Sequence, residues 1–515
     1  MNSPSDVDVT CDLESVLGGA VFVSVGSLLS MGINVGARAV FARAYSPAAY
    51  GVFSLSFTIL LIFSMIATVG LRNGLPRQIA FDEADGKESD EAGSQILWSL
   101  TLAGLVGSVV GTLIFHFNWE IATHVFHDEA YALPIALVAV AIPLFTLTRI
   151  ASAAYRGYSS PHERVVFQEL GRNVAFLVLL LGVVVVELDY LAAITMLPAS
   201  LALSTAAFVA HLYRDNPGRF RDDVVARLRD VRIPVTLVRF SYPLMLTALL
   251  HQLMTWMDIL MLGYFATSRM VGLYDGVRPL VRVIPIVWRG MIFMYIPLVS
   301  AMSARGQLTS IRRVYYVLTK WFASATVPLV LVFVFFPAST LHAVFGPSFV
   351  VAAPALQLLA VAFCVGNLIG PTGATLIAMG RTRVLMWFNL VAALVNFGLN
   401  VLLIPEIGLL GAAMGTTVAM VLRNLLRLAL LYRVGRIHAV RRSLLAPLGL
   451  TIGVAAALST AVQGSVSPLG LVVLSLGLTA FFVASFFLTG SVTEEDNVLV
   501  SYVTAQARRV RSFRA

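Results

Sequence analysis

The chain is 515 residues long, 58% hydrophobic and only 12% charged, with a mean hydropathy of +0.86. A water-soluble chain carries about 25% charged residues, so a soluble fold is excluded, and two cysteines exclude a disulfide framework. The net charge of +9 and pI near 9.7 do not make it a nucleic-acid binder, because membrane-length apolar segments separate the basic clusters.

A hydrocarbon layer ~30 Å thick needs roughly 20 apolar residues at 1.5 Å each. Fourteen stretches qualify. In chain order they are 16–41, 50–71, 95–117, 130–152, 167–187 and 190–213; then 237–264, 271–299, 314–336, 352–378, 385–404 and 409–432; and last 443–462 and 469–489. The alternating strands of a membrane barrel are not seen. The leading segment MNSPSDVDVTCDLES has no basic residue and no cleavage pattern, so the first stretch is expected to be retained rather than cut as a signal. Residues 82–91, rich in Asp and Glu, read as a solvated loop; 214–236 reads as either a surface helix or a solvated linker. These stretches predict an all-α polytopic membrane protein of about 14 transmembrane helices.

Basic residues resist translocation, so short joints rich in Lys and Arg stay on the cytoplasmic side. With the N-terminus inside, all but eight of the 36 Lys and Arg fall in or beside joints on that side, among them Arg149, Arg172 and Lys320. The joints 118–130, 337–351 and 463–468 hold none. This alternation predicts a multi-pass protein of the cytoplasmic membrane with both termini cytoplasmic, 1–15 forming one tail and the basic 490–515 the other. Cys11 falls in the first tail and Cys364 inside a span.

The chain also repeats itself. At an offset of 221, Gly51 falls on Gly272, Phe53 on Tyr274 and Pro76 on Pro297; at 223, Gly157 and Asn173 fall on Gly380 and Asn396. An even number of helices per repeat gives both halves one orientation, related by an axis along the membrane normal. The expected architecture is two parallel six-helix lobes, 16–213 and 237–432, around a central cavity, with two C-terminal helices at 443–489.

The segment Phe41-Ala42-Arg43-Ala44-Tyr45-Ser46-Pro47-Ala48-Ala49-Tyr50-Gly51 resembles the first external turn of the polysaccharide-biosynthesis (Wzx-like) oligosaccharide flippases, part of the multidrug/oligosaccharidyl-lipid/polysaccharide (MOP) exporter superfamily. Phe345-Gly346-Pro347-Ser348-Phe349 and Gly408-Leu409-Leu410-Gly411-Ala412-Ala413 are similar to its recurring second-half elements. The likeness covers nearly the whole chain. It implies a flippase that moves a polyprenyl-phosphate-linked oligosaccharide across the membrane by alternating access, for cell-surface polysaccharide or glycoprotein glycan assembly. It also implies a monomer among membrane lipids, with no cofactor and no catalytic residues. No motif selects between Na⁺ and H⁺ as a coupling ion.

An Arg at mid-membrane costs roughly 2.5–3.5 kcal/mol even on the mild insertion scale, so each needs a partner, water or a function. At about 100° per residue, Arg278, Arg282 and Arg289 fall within about 40° of one another on the eighth helix. That face predicts a wet cavity, and Pro279 and Pro285 permit bending beside it. Asn34 and Arg38 share a face of the first helix. These five positions form the expected substrate cavity, Arg supplying a permanent forked charge for phosphate oxygens. On the seventh helix, Asp258 and His251 share a face. Asp258 reads as a salt-bridge partner of Arg278 or Arg282 or as a coupling residue; His251 reads as a satisfied interior group or a proton relay. Arg423 and Arg427 read as snorkelling to headgroups. Trp256, Tyr274, Trp288 and Tyr295 read as packing or as sugar-stacking groups.

Two other functions stay open. An ion-coupled small-molecule or multidrug antiporter of the same superfamily would favour acids and aromatics over clustered arginines. A membrane oligosaccharide polymerase, ligase or glycosyltransferase would need a substantial polar loop. The longest outer joint, 337–351, has His342 as its only titratable side chain, and no nucleotide loop, metal cluster or paired-carboxylate motif emerges.

Overall fold

The computed structural model describes residues 9–84, 89–157, 164–215, 235–438, 442–462 and 466–491. Among these, every regular element is a helix. The first set is α1 (Val9–Ala44), α2 (Pro47–Ala67), α3 (Leu71–Ala84), α4 (Ser89–His116), α5 (Ala132–Ala139), α6 (Ala141–Gly157), α7 (Arg172–Val185) and α8 (Tyr190–Asp215). The next is α9 (Val235–Phe265), α10 (Ser268–Val283), α11 (Ile286–Ala304), α12 (Leu308–Phe335), α13 (Ala353–Ile369) and α14 (Thr372–Ala378). Last come α15 (Thr382–Ile407), α16 (Leu409–Gly435), α17 (Arg442–Ala461) and α18 (Pro468–Leu488).

Local chemistry sets several of these starts. Ser46 caps α2, its hydroxyl accepting from the Ala49 amide at 3.2 Å, and Pro47 occupies the first turn, where no amide hydrogen is missed. Ser467 and Pro468 start α18 in the same way, with Ser467 accepting from Gly470 at 3.1 Å. Between α13 and α14 the chain breaks at Gly370–Pro371. Gly370 sits at φ +94°, and a side chain there would strike Thr319 and Tyr315; the Tyr315 hydroxyl donates to the Ile369 carbonyl that the break leaves open.

Eleven helices among the described residues are long and apolar enough to cross a membrane, or twelve if the pair Glu129–Ala139 and Ala141–Gly157, bent by 44°, counts as one. Of the fourteen expected spans, the seventh and eighth stand apart. The seventh is the continuous helix α9, several of whose side chains lie outside the described residues. The eighth is broken into α10 and α11 at Ile284–Pro285, where proline lacks the amide hydrogen that would continue the ladder. The joint after the second span is also more ordered than a solvated loop. Leu71, Leu75 and Ile79, one turn apart, are fully buried and give α3 an apolar face against α6 and α9; residues 85–88 lie outside the described residues.

Contacts divide the chain into Met1–Gly276 and Val277–Ala515. In the first unit α6 packs on α3, α4 and α8, α7 on α1 and α8, and α9 on α2 and α3. Tyr155 and Phe208 stack at 5.4 Å within this core. The two repeat-related glycines meet here: a β-carbon on Gly51 would lie 2.8 Å from the Gly272 amide nitrogen, and one on Gly272 would lie 2.8 Å from that of Gly51. With lipid on all sides there is little hydrophobic drive between helices, so small residues that allow close backbone approach set the crossing.

In the second unit α16 packs on α13 and α15, and α12 on α13, α17 and α18. Lys320 of α12 is not in a cytoplasmic joint. It is 4% exposed, donates to the Ser491 carbonyl at 2.7 Å and lies 4.6 Å from the Phe486 ring centroid. The last helix therefore covers a buried cation with Phe486, and the chain just beyond its end supplies the acceptor at Ser491.

Overpacking costs about 1–3 kcal/mol, so Gly51→Leu and Gly272→Leu are each expected to lower the thermal midpoint of the purified protein. Gly182→Ala, at a helical position with open space around it, is the control; alanine there stabilises a helix by roughly 0.5–1 kcal/mol, so its midpoint stays or rises. Equal midpoints for all three would remove the crossing from the account.

Candidate functional site

Arg38 is the centre of a buried polar cluster in the first unit. Four residues apart on α1, Asn34 and Arg38 share a face, and Arg38 Nε donates to Asn34 Oδ1 at 3.1 Å. One guanidinium nitrogen, Nη1, donates both to the Tyr50 hydroxyl of α2, at 3.2 Å, and to the Asp275 carboxylate of α10, forming an ion pair. Arg38 is 7% exposed and Asp275 1%. The Phe57 ring centroid lies 5.7 Å from the guanidinium carbon.

A second cation stands close by. The residues before α7, Arg164–Gly171, form a widened π-helical turn, a geometry that recurs at functional sites, and it delivers Arg172 and Asn173 at the start of α7. Arg172 donates from Nε and Nη2 to Asn173 Oδ1 at 3.3 and 3.1 Å. Asn173 in turn donates to the Ser30 carbonyl and hydroxyl of α1, at 3.2 and 2.8 Å. Arg149 of α6, 7% exposed, lies 4.6 Å from the Phe145 ring centroid, and Arg172 lies 5.4 Å from the same ring. Two guanidiniums thus share one aromatic ring. Such contacts are worth about 0.5–2 kcal/mol each, less than a full counter-charge. Glu169 Oε2 accepts from Ser27 at 2.8 Å.

Asn34, Arg38, Arg172 and Asn173, together with Phe53, Phe57, Phe176 and Leu197, line a small cavity. Phe53 stacks on Phe176 at 5.9 Å and on Phe57 at 6.1 Å, which stiffens the apolar wall. Outside the spans, Tyr45 donates to the Leu188 carbonyl at 3.0 Å; partial burial first, and the Asp189 carboxylate second, push its phenol above the ordinary value.

The other expected site residues fall elsewhere. Arg278, 6% exposed, and the half-buried Arg282 lie one turn apart on α10 in the second unit. The break at Pro285 puts Arg289 on a different helix, so the three do not form one uninterrupted helix face. The side chains of Arg289 and His251 lie outside the described residues. Asp258 accepts from the Tyr274 hydroxyl at 2.7 Å. Trp256, Tyr274 and Tyr295 are buried, Tyr295 bonding to Thr375 at 2.7 Å; Trp288 is outside the described side chains. Sequence reasoning missed Asp275, Arg149, Arg172 and Asn173. An acid inside the eighth expected span was the available signal for Asp275; charge counting had assigned the two arginines to a joint.

Removing one partner of a buried ion pair costs about 3–5 kcal/mol, because the other charge is left uncompensated. Asp275→Ala is therefore expected to lower the thermal midpoint more than Arg38→Met/Asp275→Leu, in which both charges leave together. A double variant less stable than either single one would contradict the pairing.

The family model described as polysaccharide biosynthesis protein matches residues 16–303. No curated protein sequence matches the chain. Among solved structures, the chain is similar to the lipid II flippase MurJ in an inward closed conformation, with a TM-score of 0.68 at 10% identity, covering 91% of this chain and 99% of that one. It is also similar to an inward-facing multidrug resistance MATE family transporter of the MOP superfamily, with a TM-score of 0.62 at 14% identity over 86% and 100% of the two chains. A third is a MOP superfamily transporter from Pyrococcus furiosus, whose binding pocket is described as reversed in polarity, with a TM-score of 0.54 at 14% identity over 81% and 94%. At these identities the likeness establishes the fold.

Proposed function

The chain belongs to the polysaccharide biosynthesis protein family, and on that premise we propose that it is a flippase. It carries an oligosaccharide, joined through phosphate to a polyprenyl lipid, across the cytoplasmic membrane by alternating access, with both termini cytoplasmic. The observation that supports this reading is the group of guanidiniums, Arg38 and Arg149 buried and Arg172 half-buried, at and beside the cavity of the first unit. Asp275 and Glu169 are the carboxylates brought near them, so the cluster keeps an excess of positive charge in a low-dielectric setting. A phosphate or diphosphate complements that excess, because its oxygens accept forked hydrogen bonds from Arg and its charge offsets the burial cost. Asn34 offers its amide nitrogen to a glycan, and the phenylalanine wall offers ring faces. Arg278 and Arg282 put further cationic side chains in the second unit.

The test is reconstitution into liposomes with a fluorescent polyprenyl-diphosphate sugar, following the fraction that an impermeant quencher reaches. A charge-assisted hydrogen bond contributes about 1.5–3 kcal/mol. Arg172→Gln is therefore expected to slow transfer roughly tenfold or more, with Arg282→Ala and Arg289→Ala also slowed. Wild-type rates in all three folded variants would defeat the phosphate role. Export of cationic dyes with no movement of lipid-linked sugar would favour the antiporter instead.

A further inference from the structure

The second unit holds a pair of arginines in a membrane-length helix that face no carboxylate among the described residues of the unit, whose Glu494, Glu495 and Asp496 lie outside them. Arg423 and Arg427 are one turn apart on α16. The exposed stripe of that helix runs through Met414, Val418, Leu425 and Tyr432. At 100° per residue both arginines lie roughly 160° from Leu425, on the opposite face. They do not snorkel outward along the lipid-facing side, as a terminal Arg in a span is expected to do. Each has its Nε buried without a hydrogen bond.

Their contacts among the described residues of the unit are with neutral groups. Arg427 Nη2 donates to the Asn389 side-chain oxygen of α15 at 2.7 Å. A side chain on Gly373 of α14 would begin 3.2 Å from Arg427 Nη1, so glycine there admits the guanidinium. Asn424, 7% exposed, lies against Gly366 of α13. From Val277 to Ser491 the sequence contains one acidic residue, Glu406, against fifteen Lys and Arg. Glu406 is exposed and sits seventeen residues beyond Asn389 on α15, about 26 Å along the helix. Two like charges one turn apart, both partly desolvated and facing no carboxylate among the described residues of their unit, are offset by a bound anion. Arg427 lies about 12 Å and Arg423 about 18 Å along the axis from the end of α16 at Gly435, deeper than a headgroup lying at the helix end.

We propose that Arg423 and Arg427, with Asn389 beside them, form a second anion site that takes a phosphate-bearing headgroup. Two forked donors one turn apart present converging N–H groups to the oxygens of a phosphate or diphosphate, and Asn389 holds one fork in place through its amide oxygen. This deepens the flippase reading by assigning the second unit its own contact with the phosphate, and it stands as a binding site whether or not transport follows.

Thermal midpoints of the full chain in detergent test it, with inorganic pyrophosphate, phosphatidylglycerol or neutral phosphatidylcholine added at matched ionic strength. Four proteins are compared: wild type, Arg172→Gln, Arg423→Gln/Arg427→Gln, and the triple variant. Pyrophosphate is expected to raise the wild-type midpoint, Arg172→Gln to keep part of the rise, and the triple variant to lose it. A rise produced by phosphatidylglycerol and not by pyrophosphate, and lost with Arg423 and Arg427, assigns the same phosphate chemistry to a resident lipid. A full rise in Arg423→Gln/Arg427→Gln with every additive that stabilises wild type overturns the site, as does no rise in wild type with any additive. Should the double variant fail to fold, Asn389→Ala, which leaves both charges, is expected to reduce the rise in the Arg172→Gln background. Lost binding with unchanged lipid-sugar transfer would separate this site from the transport reading; retained binding without transfer would defeat transport alone.

Discussion

A guanidinium inside a membrane has to be compensated, and in the first unit that requirement ties three helices to one side chain. Arg38 of α1 reaches Tyr50 of α2 and Asp275 of α10 through the same nitrogen. The backbone makes this reach possible. Tyr50 is the immediate neighbour of Gly51, and Asp275 lies three residues after Gly272, so the glycine crossing brings both partners toward α1. A β-carbon at either glycine would push the helices apart and lengthen the contacts of the ion pair. Packing and electrostatics therefore act at the same place in the fold.

Other embedded cations are compensated less fully. Lys320 has the Ser491 carbonyl and the Phe486 ring, which accounts for α18 lying on α12. Arg149 and Arg172 share the Phe145 ring and rely on amide oxygen and a more distant carboxylate. Arg423 and Arg427 have a single amide oxygen between them among the contacts described. This gradation separates structural cations, which are satisfied by the fold, from those with residual demand for an anion. Residual demand is a physical requirement for binding a phosphate reversibly, because a fully paired guanidinium has nothing further to offer.

Several parts of this arrangement were legible in the residues. The helical character, most of the spans and the shared face of Asn34 and Arg38 follow from hydropathy and a 3.6-residue period. The repeat offset placed Gly51 on Gly272. Other parts were not. Charge counting places Arg149, Arg172 and Lys320 in or beside cytoplasmic joints but does not say what each meets: Arg149 lies over Phe145 of its own helix, Arg172 over the same ring from α7, and Lys320 against Phe486 and the Ser491 carbonyl. Similarly, helix position alone does not say which face of α16 a neighbour covers, so the contact of Arg427 with Asn389 was not legible. The three-arginine face of the eighth span failed at Pro285, where a uniform 100° rotation no longer holds.

By itself the sequence determined the solvent, since 58% hydrophobic composition in membrane-length blocks leaves a helical bundle as the way to satisfy the backbone in lipid. It also determined that arginines would lie within that bundle. Which carboxylate, ring or amide each one meets was decided by tertiary structure, because those partners come from helices far apart in the chain. Arg38 and Asp275 are 237 residues apart, and only the packing of the helices between them brings their charges together.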